Sequence, residues 1–192
     1  MDNIERVCLD MGGFEVNSYI VHAPEGDLIV DAGAEPQKIL GHLKKPVAAI
    51  LVTHSHPDHV GVLKDVRSET GAPVYMHPED AQGAGVIGYE FLEDGMELDL
   101  AGETINVLHT PGHSPGSVTF VMRRDQIVGD LILPGSVGRT DTSGGSWEQI
   151  EASIRKVMQF WNGSTRLYTG HGPILHAMAE LESNPYLPLG IL

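Results

Sequence analysis

The stretch Leu51–Gly61, LVTHSHPDHVG, carries the decision about this fold. It ends the apolar run Val47–Thr53, VAAILVT, whose unbroken hydrophobicity predicts a buried strand. Three histidines and an aspartate then fall between His54 and His59. His54 and His56 are two residues apart, so in extended chain they point to one side. Pro57 suits the first turn of a helix. Asp58 and His59 then leave that helix start in another direction. The stretch therefore offers two ligand pairs aimed at two neighbouring points. Imidazole and carboxylate are ligand types that zinc, iron and manganese accept. A helix start by itself disfavours a cation, and a carboxylate offsets this.

Two pairs do not complete a site, because each ion takes about four ligands. Further candidates stand elsewhere. His113 lies in HTPGHSPGS (His109–Ser117), His171 in TGHGP (Thr169–Pro173), and Asp130 closes QIVGD (Gln126–Asp130). All three fall on predicted strand-end loops, where functional side chains concentrate. Taken singly, such a residue is more often a turn or cap residue. The cluster at His54–His59 is what raises them to ligand candidates.

The rest of the chain reads as short strands with a few helices, which implies sheets covered by helices. Strands are predicted at Ile4–Asp10, Glu15–Ala23, Asp27–Asp31, Ala72–His77, Glu97–Leu100, Thr104–His109, Ser117–Arg123, Gln126–Asp130 and, last, Ser164–Gly170. Ile39, Leu40 and Leu43 give helical spacing ended by Pro46. Val62, Leu63 and Val66 give a second helix closed by Gly71. An amphipathic helix spans Trp147 to Trp161, with Ser146 and Gln149 as a capping box and both tryptophans on its core face.

The chain has 192 residues, enough for one domain over 1–192. Hydrophobic residues make up 41% and charged residues 20%, and the net charge is −14. That charge repels nucleic acid and anionic membranes, so neither is an expected partner. No apolar run approaches the ~18 residues of a membrane helix. The acidic start MDNIERVCLD does not read as a secretory signal. Cys8 is the only cysteine, which excludes an internal disulfide and points to the cytoplasm.

THSHPDH, TPGHSPGS, VGD and TGHG occur in that order and, with VDAG (Val30–Gly33), resemble the five motifs of the metallo-β-lactamase fold. The resemblance covers nearly the whole chain. It implies an α/β (α+β) fold, a four-layer αββα sandwich with the metal site at one edge of the sheets. Matched motif by motif, His54, His56 and His113 would hold one metal, and Asp58, His59 and His171 a second. Asp130 would bridge them, and Asp31 would tie down the ligand loops. Asp58 and Asp130 are then the carboxylates expected at the chemistry.

GSVGRTDTSGG (Gly135–Gly145) and SNPYL (Ser183–Leu187) are similar to segments of the glyoxalase II-like branch. That similarity implies a thioesterase holding two divalent ions, zinc first, iron or manganese next. Its partner would be a small thioester, S-lactoylglutathione being the type substrate. No Lys or Arg follows Arg166. The glutathione-binding residues that full-length members carry in a further helical domain therefore have no match here. Arg139 either contacts an acidic substrate group or pairs with Asp141 to brace its loop. A second branch of the family, the persulfide dioxygenases, carries one iron on residues matching His56, His113 and Asp130. Lactonase and β-lactamase activities, or a non-catalytic metal-binding domain, are the further readings.

Among the other histidines, His109 reads as a loop brace and His77 as a strand-end or helix-start residue. His22 and His42 read as surface positions, and His176 as the cap of a short C-terminal helix.

Overall fold

The computed structural model describes residues 3–187. One six-stranded sheet runs β1 (Ile4–Asp10), β2 (Glu15–His22), β3 (Asp27–Val30), β4 (Val47–Leu51), β5 (Val74–Met76), β6 (Glu90–Phe91), in that spatial order. The second sheet contains β7 (Glu97–Leu100), β8 (Glu103–His109), β9 (Val118–Met122), β10 (Asp125–Gly129), β13 (Arg166–Thr169) and β14 (Leu175–His176), ordered β14-β13-β10-β9-β8-β7. A small ribbon pairs β11 (Ile132–Leu133) with β12 (Ser136–Val137). The helices are α1 (Pro36–Gly41), α2 (Pro57–Val60), α3 (Leu63–Thr70), α4 (Pro78–Ala84), α5 (Trp147–Met158) and α6 (Ala177–Ser183).

Alternation along the strands builds four layers. Tyr19, Leu28, Val30 and Leu51 of the first sheet form one buried cluster with Val107, Phe120, Ile127 and Tyr168 of the second. Their neighbours Ile20, Ile29 and Ile50 point the other way and cluster with Ile39, Leu63, Val66 and Ala81 of α1, α3 and α4. On the far side, Val121, Val128 and Leu167 cluster with Ile150, Ile154 and Val157 of α5 and Leu181 of α6. The order is helix, sheet, sheet, helix. Central strands buried on both faces explain why VAAILVT is apolar without alternation.

Several elements differ from the sequence expectation. α1 stops at Gly41, short of Leu43, because the buried carboxylate of Asp27 accepts the backbone N–H groups of Lys44 (2.5 Å) and Lys45 (2.9 Å) and draws the chain out of the helix. The Arg166–Thr169 strand is not the last, since β14 pairs back on it. Trp161 is buried but lies beyond α5, donating from Nε1 to Gln126 Oε1 (3.0 Å). Trp147 is the first residue of α5 and 48% exposed, set edge-on to Tyr186. A period of 3.6 relates only residues inside one helix, so the two tryptophans share no face. His22 is largely buried, with Nδ1 on Asp27 and Nε2 on Glu5, both at 2.9 Å; His42 is more exposed and also reaches Glu5. His176 takes the N-cap position of α6 without a capping side-chain bond.

No helix among the described residues is long and apolar enough to cross a membrane.

Candidate metal centre

The candidate ligands meet where the two sheets are stitched together at one edge. Val118 N–H donates to Thr53 O (2.9 Å), and Asn17 N–H donates to Gly170 O (2.8 Å). Asn17 Nδ2 adds bonds to Thr169 O and Gly172 O. These bonds bring the ends of β4, β10 and β13 and the loop before β9 to one point. Their side chains His54, Asp130, His171 and His113 arrive there together. α2 starts in the same place, with His56 at its N-cap and Pro57 at its first position.

One ligand atom from each of His54, His56 and His113 lies within 4.8 Å of the others, and the same holds for Asp58, His59 and His171. Asp130 stands between the sets. Its Oδ2 is 3.4 Å from His113 Nε2 and 3.5 Å from His171 Nε2, and its Oδ1 is 3.5 Å from His59 Nε2. His54, His59 and Asp130 also form a close trio, so the two sets are contiguous. The backbone approach is tight as well. A Cβ on Gly170 would fall 1.9 Å from Asp130 Oδ1, which explains the glycine of TGHG.

The far nitrogens of the rings are anchored. His59 Nδ1 is 2.9 Å from Asp31 Oδ2, His113 Nδ1 is 2.9 Å from Arg139 O, and His171 Nδ1 is 2.6 Å from Glu15 O. A bond at Nδ1 fixes the tautomer and leaves Nε2 free to face inward. His56 is turned the other way, presenting Nδ1, 2.8 Å from His113 Nε2. Asp31 also accepts Thr53 N–H (2.8 Å) and Thr53 Oγ1–H (2.7 Å). Its backbone is left-handed, φ 60°, a strained state that such side-chain bonding makes tolerable.

At this site the buried atoms His54 Nε2, His59 Nε2 and Asp130 Oδ1 have no hydrogen-bond partner among the described residues. Leaving such groups unpaired costs about 1–3 kcal/mol each. All three belong to the close trio, and a cation satisfies all of them at once. The residues present therefore fit a metal centre.

The side chains of the site are strongly coupled electrostatically. Burial holds His54 well below the usual histidine value, and the neighbouring His59 adds to it. Burial would also lower His59, but Asp130 and Asp31 outweigh it and raise that ring well above its usual value. Burial opposes the charge on Asp130, yet His59 and His171 keep it well below the carboxylate range. Hydrogen bonds to Asp130 and Asp58 push His171 up to about 10. Burial lowers His113.

A cavity of about 460 Å³ opens onto these residues. Phe14, Leu133 and Val137 form its apolar wall, and Arg139 and Thr142 stand at its polar side. The Arg139 guanidinium makes two bonds to Asp141 (2.8 and 3.2 Å), and both side chains are well exposed. It is the backbone carbonyl of Arg139 that braces His113.

Phe14 and Asp80 contribute to the site without a signal in the sequence. Phe14 comes from the β1–β2 turn, which carries no motif. Asp80 lies on α4, a helix without a clear apolar period, and is tied to the ligand loops. The histidines outside the site fall elsewhere. His77 and His109 stack face to face at 4.0 Å and 8°. With Glu79 they form a further acid–histidine group, but parallel ring planes share no point at which both in-plane lone pairs can aim. His109 Nε2 lies 2.8 Å from Pro115 O, bracing the loop before β9.

Comparison with known proteins places this geometry in a family. Residues 11–171 match the family model of the metallo-beta-lactamase superfamily, and the chain belongs to that superfamily. It is 28% identical to hydroxyacylglutathione hydrolase GloC of Haemophilus influenzae, over 96% of this chain and 98% of that protein. Its fold is similar to the structure of TTHA1623 in a di-iron-bound form (TM-score 0.82, 34% identity, 94% of this chain and all of that one). It is likewise similar to BLEG-1 B3 metallo-beta-lactamase (TM-score 0.85, 29% identity, 97% of this chain and all of that one).

Proposed function

We propose that this member of the superfamily is a thioester hydrolase that works with two divalent ions. The observation that carries the reading is the position of Asp130 between two complete side-chain sets, with buried unpaired atoms on either side of it. His54, His56 and His113 would hold one ion, Asp58, His59 and His171 the other, with Asp130 shared. Zinc suits nitrogen and carboxylate ligands, and iron fits the same set. Two such ions supply Lewis acidity towards a carbonyl and lower the pKa of water from 15.7 towards about 7.

The chain's own groups do the rest. Asp58 borders the cavity, and the carboxylate oxygen that does not hold the ion can take the proton of the attacking water. The water oxygen bonds to the acyl carbon, the C–S bond breaks, and the sulfur leaves with its electron pair. A thiolate with a pKa of about 8.5 departs without a strong general acid. Phe14, Leu133 and Val137 offer the acyl group an apolar wall. The choice of thioester is supported by the similarity to GloC. S-Lactoylglutathione and an uncharged thioester are the two probes.

Thiol release by the purified protein tests this reading. The expected result is hydrolysis of at least one probe, abolished by chelation and restored by zinc or iron. Cleavage of a β-lactam or a lactone with both thioesters left intact overturns the thioesterase reading.

A further inference from the structure

The loops that carry His54, His56 and His113 are joined by a side chain outside every motif. Asp80 lies on α4 and is 3% exposed. Its Oδ2 accepts the backbone N–H of Ser55 (2.7 Å) and the hydroxyl of Ser114 (2.8 Å), and its Oδ1 accepts the backbone N–H of Gly116 (2.6 Å). Ser55 is the residue between His54 and His56, and Ser114 follows His113. One carboxylate therefore spans both loops of a single ligand set. Contact is close on each side. A Cβ on Gly116 would stand 2.6 Å from Asp80 Oδ1, and one on Gly83 would stand 2.8 Å from Ser55 Oγ.

We infer that Asp80 is a positioning residue that sets ion affinity at the His54–His56–His113 position and not at the Asp58–His59–His171 position. Short bonds from a buried carboxylate fix its donors more firmly than neutral pairs do. Two of the three donors are backbone N–H groups and the third is the Ser114 hydroxyl, so what is fixed is the spacing of the histidines beside them. Asp31 differs, because it touches His59 directly and Thr53 next to His54, and so acts on both positions. Groups that orient ligands are typically worth 10–100-fold in metal affinity.

The inference rests on the two-ion reading. The test is a chelator-competition titration of the chain with zinc, resolving two binding steps, in the unaltered protein and in Asp80→Asn. An amide cannot accept on both sides, so at least one donor loses its partner. The expected result is a loss of roughly 10–100-fold in one step, with the other unchanged. Ser114→Ala removes a single donor and serves where Asp80→Asn does not fold; it should weaken the same step by a smaller factor. Equal affinities in variant and parent overturn the inference, even with a lower Tm, because Asp80 is then only structural. An equal loss in both steps overturns it too. An unaltered chain that binds no ion defeats the two-ion reading itself, a result distinct from two unchanged steps in the variants.

Discussion

His56 Nδ1 and His113 Nε2 face each other at 2.8 Å, with their rings nearly perpendicular at 86°. His113 Nδ1 is occupied by Arg139 O, so its Nε2 presents a lone pair when the ring is neutral. Two facing lone pairs at that distance need a proton or a cation between them. His56→Ala should therefore lose one ion of two. Asp130→Ala, which removes the shared carboxylate, should lose both. Metal content per chain, measured by plasma mass spectrometry after dialysis, checks both. An Asp130→Ala protein with the parent stoichiometry contradicts the shared position.

Arg139 offers its carbonyl to His113 and its guanidinium to Asp141. Exposed ion pairs contribute little to stability. Arg139→Ala keeps the carbonyl, so it should retain full metal content and nearly unchanged stability. A specific rise in KM for S-lactoylglutathione over the uncharged thioester would move Arg139 into substrate binding.

Acid should loosen the corner where β1, β2 and the α1–β4 loop meet. Hydrogen bonds from His22 and His42, with help from Lys44, lower Glu5 to about 2, against 4.5 for the free side chain. A depressed carboxylate stabilises the fold above its unfolded value and loses that contribution as pH falls towards its folded value. The window is therefore from about 4.5 down to about 2. Glu5→Gln should be less stable than the parent at pH 6, and the gap should close as pH falls through that window. A gap independent of pH in denaturant melts would contradict the pairing.

The tryptophans should behave oppositely on truncation. Trp161→Ala removes a buried ring and should cost about 3–5 kcal/mol. Trp147→Ala removes a half-exposed one and should cost well under half as much. Urea midpoints with unchanged slopes give the comparison. Equal losses would contradict the placement of Trp147.

These outcomes mark what the sequence discloses. His54 to His59 is legible because ligand-type residues crowd into one turn after a buried strand. Buried strands such as Val47–Leu51 show as unbroken apolar runs. The supports are harder to see. Asp80 acts through two backbone N–H groups and the Ser114 hydroxyl, all far away in sequence, and Phe14 acts by proximity across a sheet edge. α1 ends where Asp27 captures two N–H groups, a tertiary event that local periodicity does not register. Trp147 carries an apolar label that helical spacing assigned to the core, while packing set it against Tyr186 at the surface.

Metal content and thioester turnover, measured on the same preparation, test the two-ion thioesterase together. The expected result is two ions per chain and thiol release that falls and recovers with metal removal and return. One iron per chain, with dioxygen consumed on glutathione persulfide and no thioester cleaved, would contradict it.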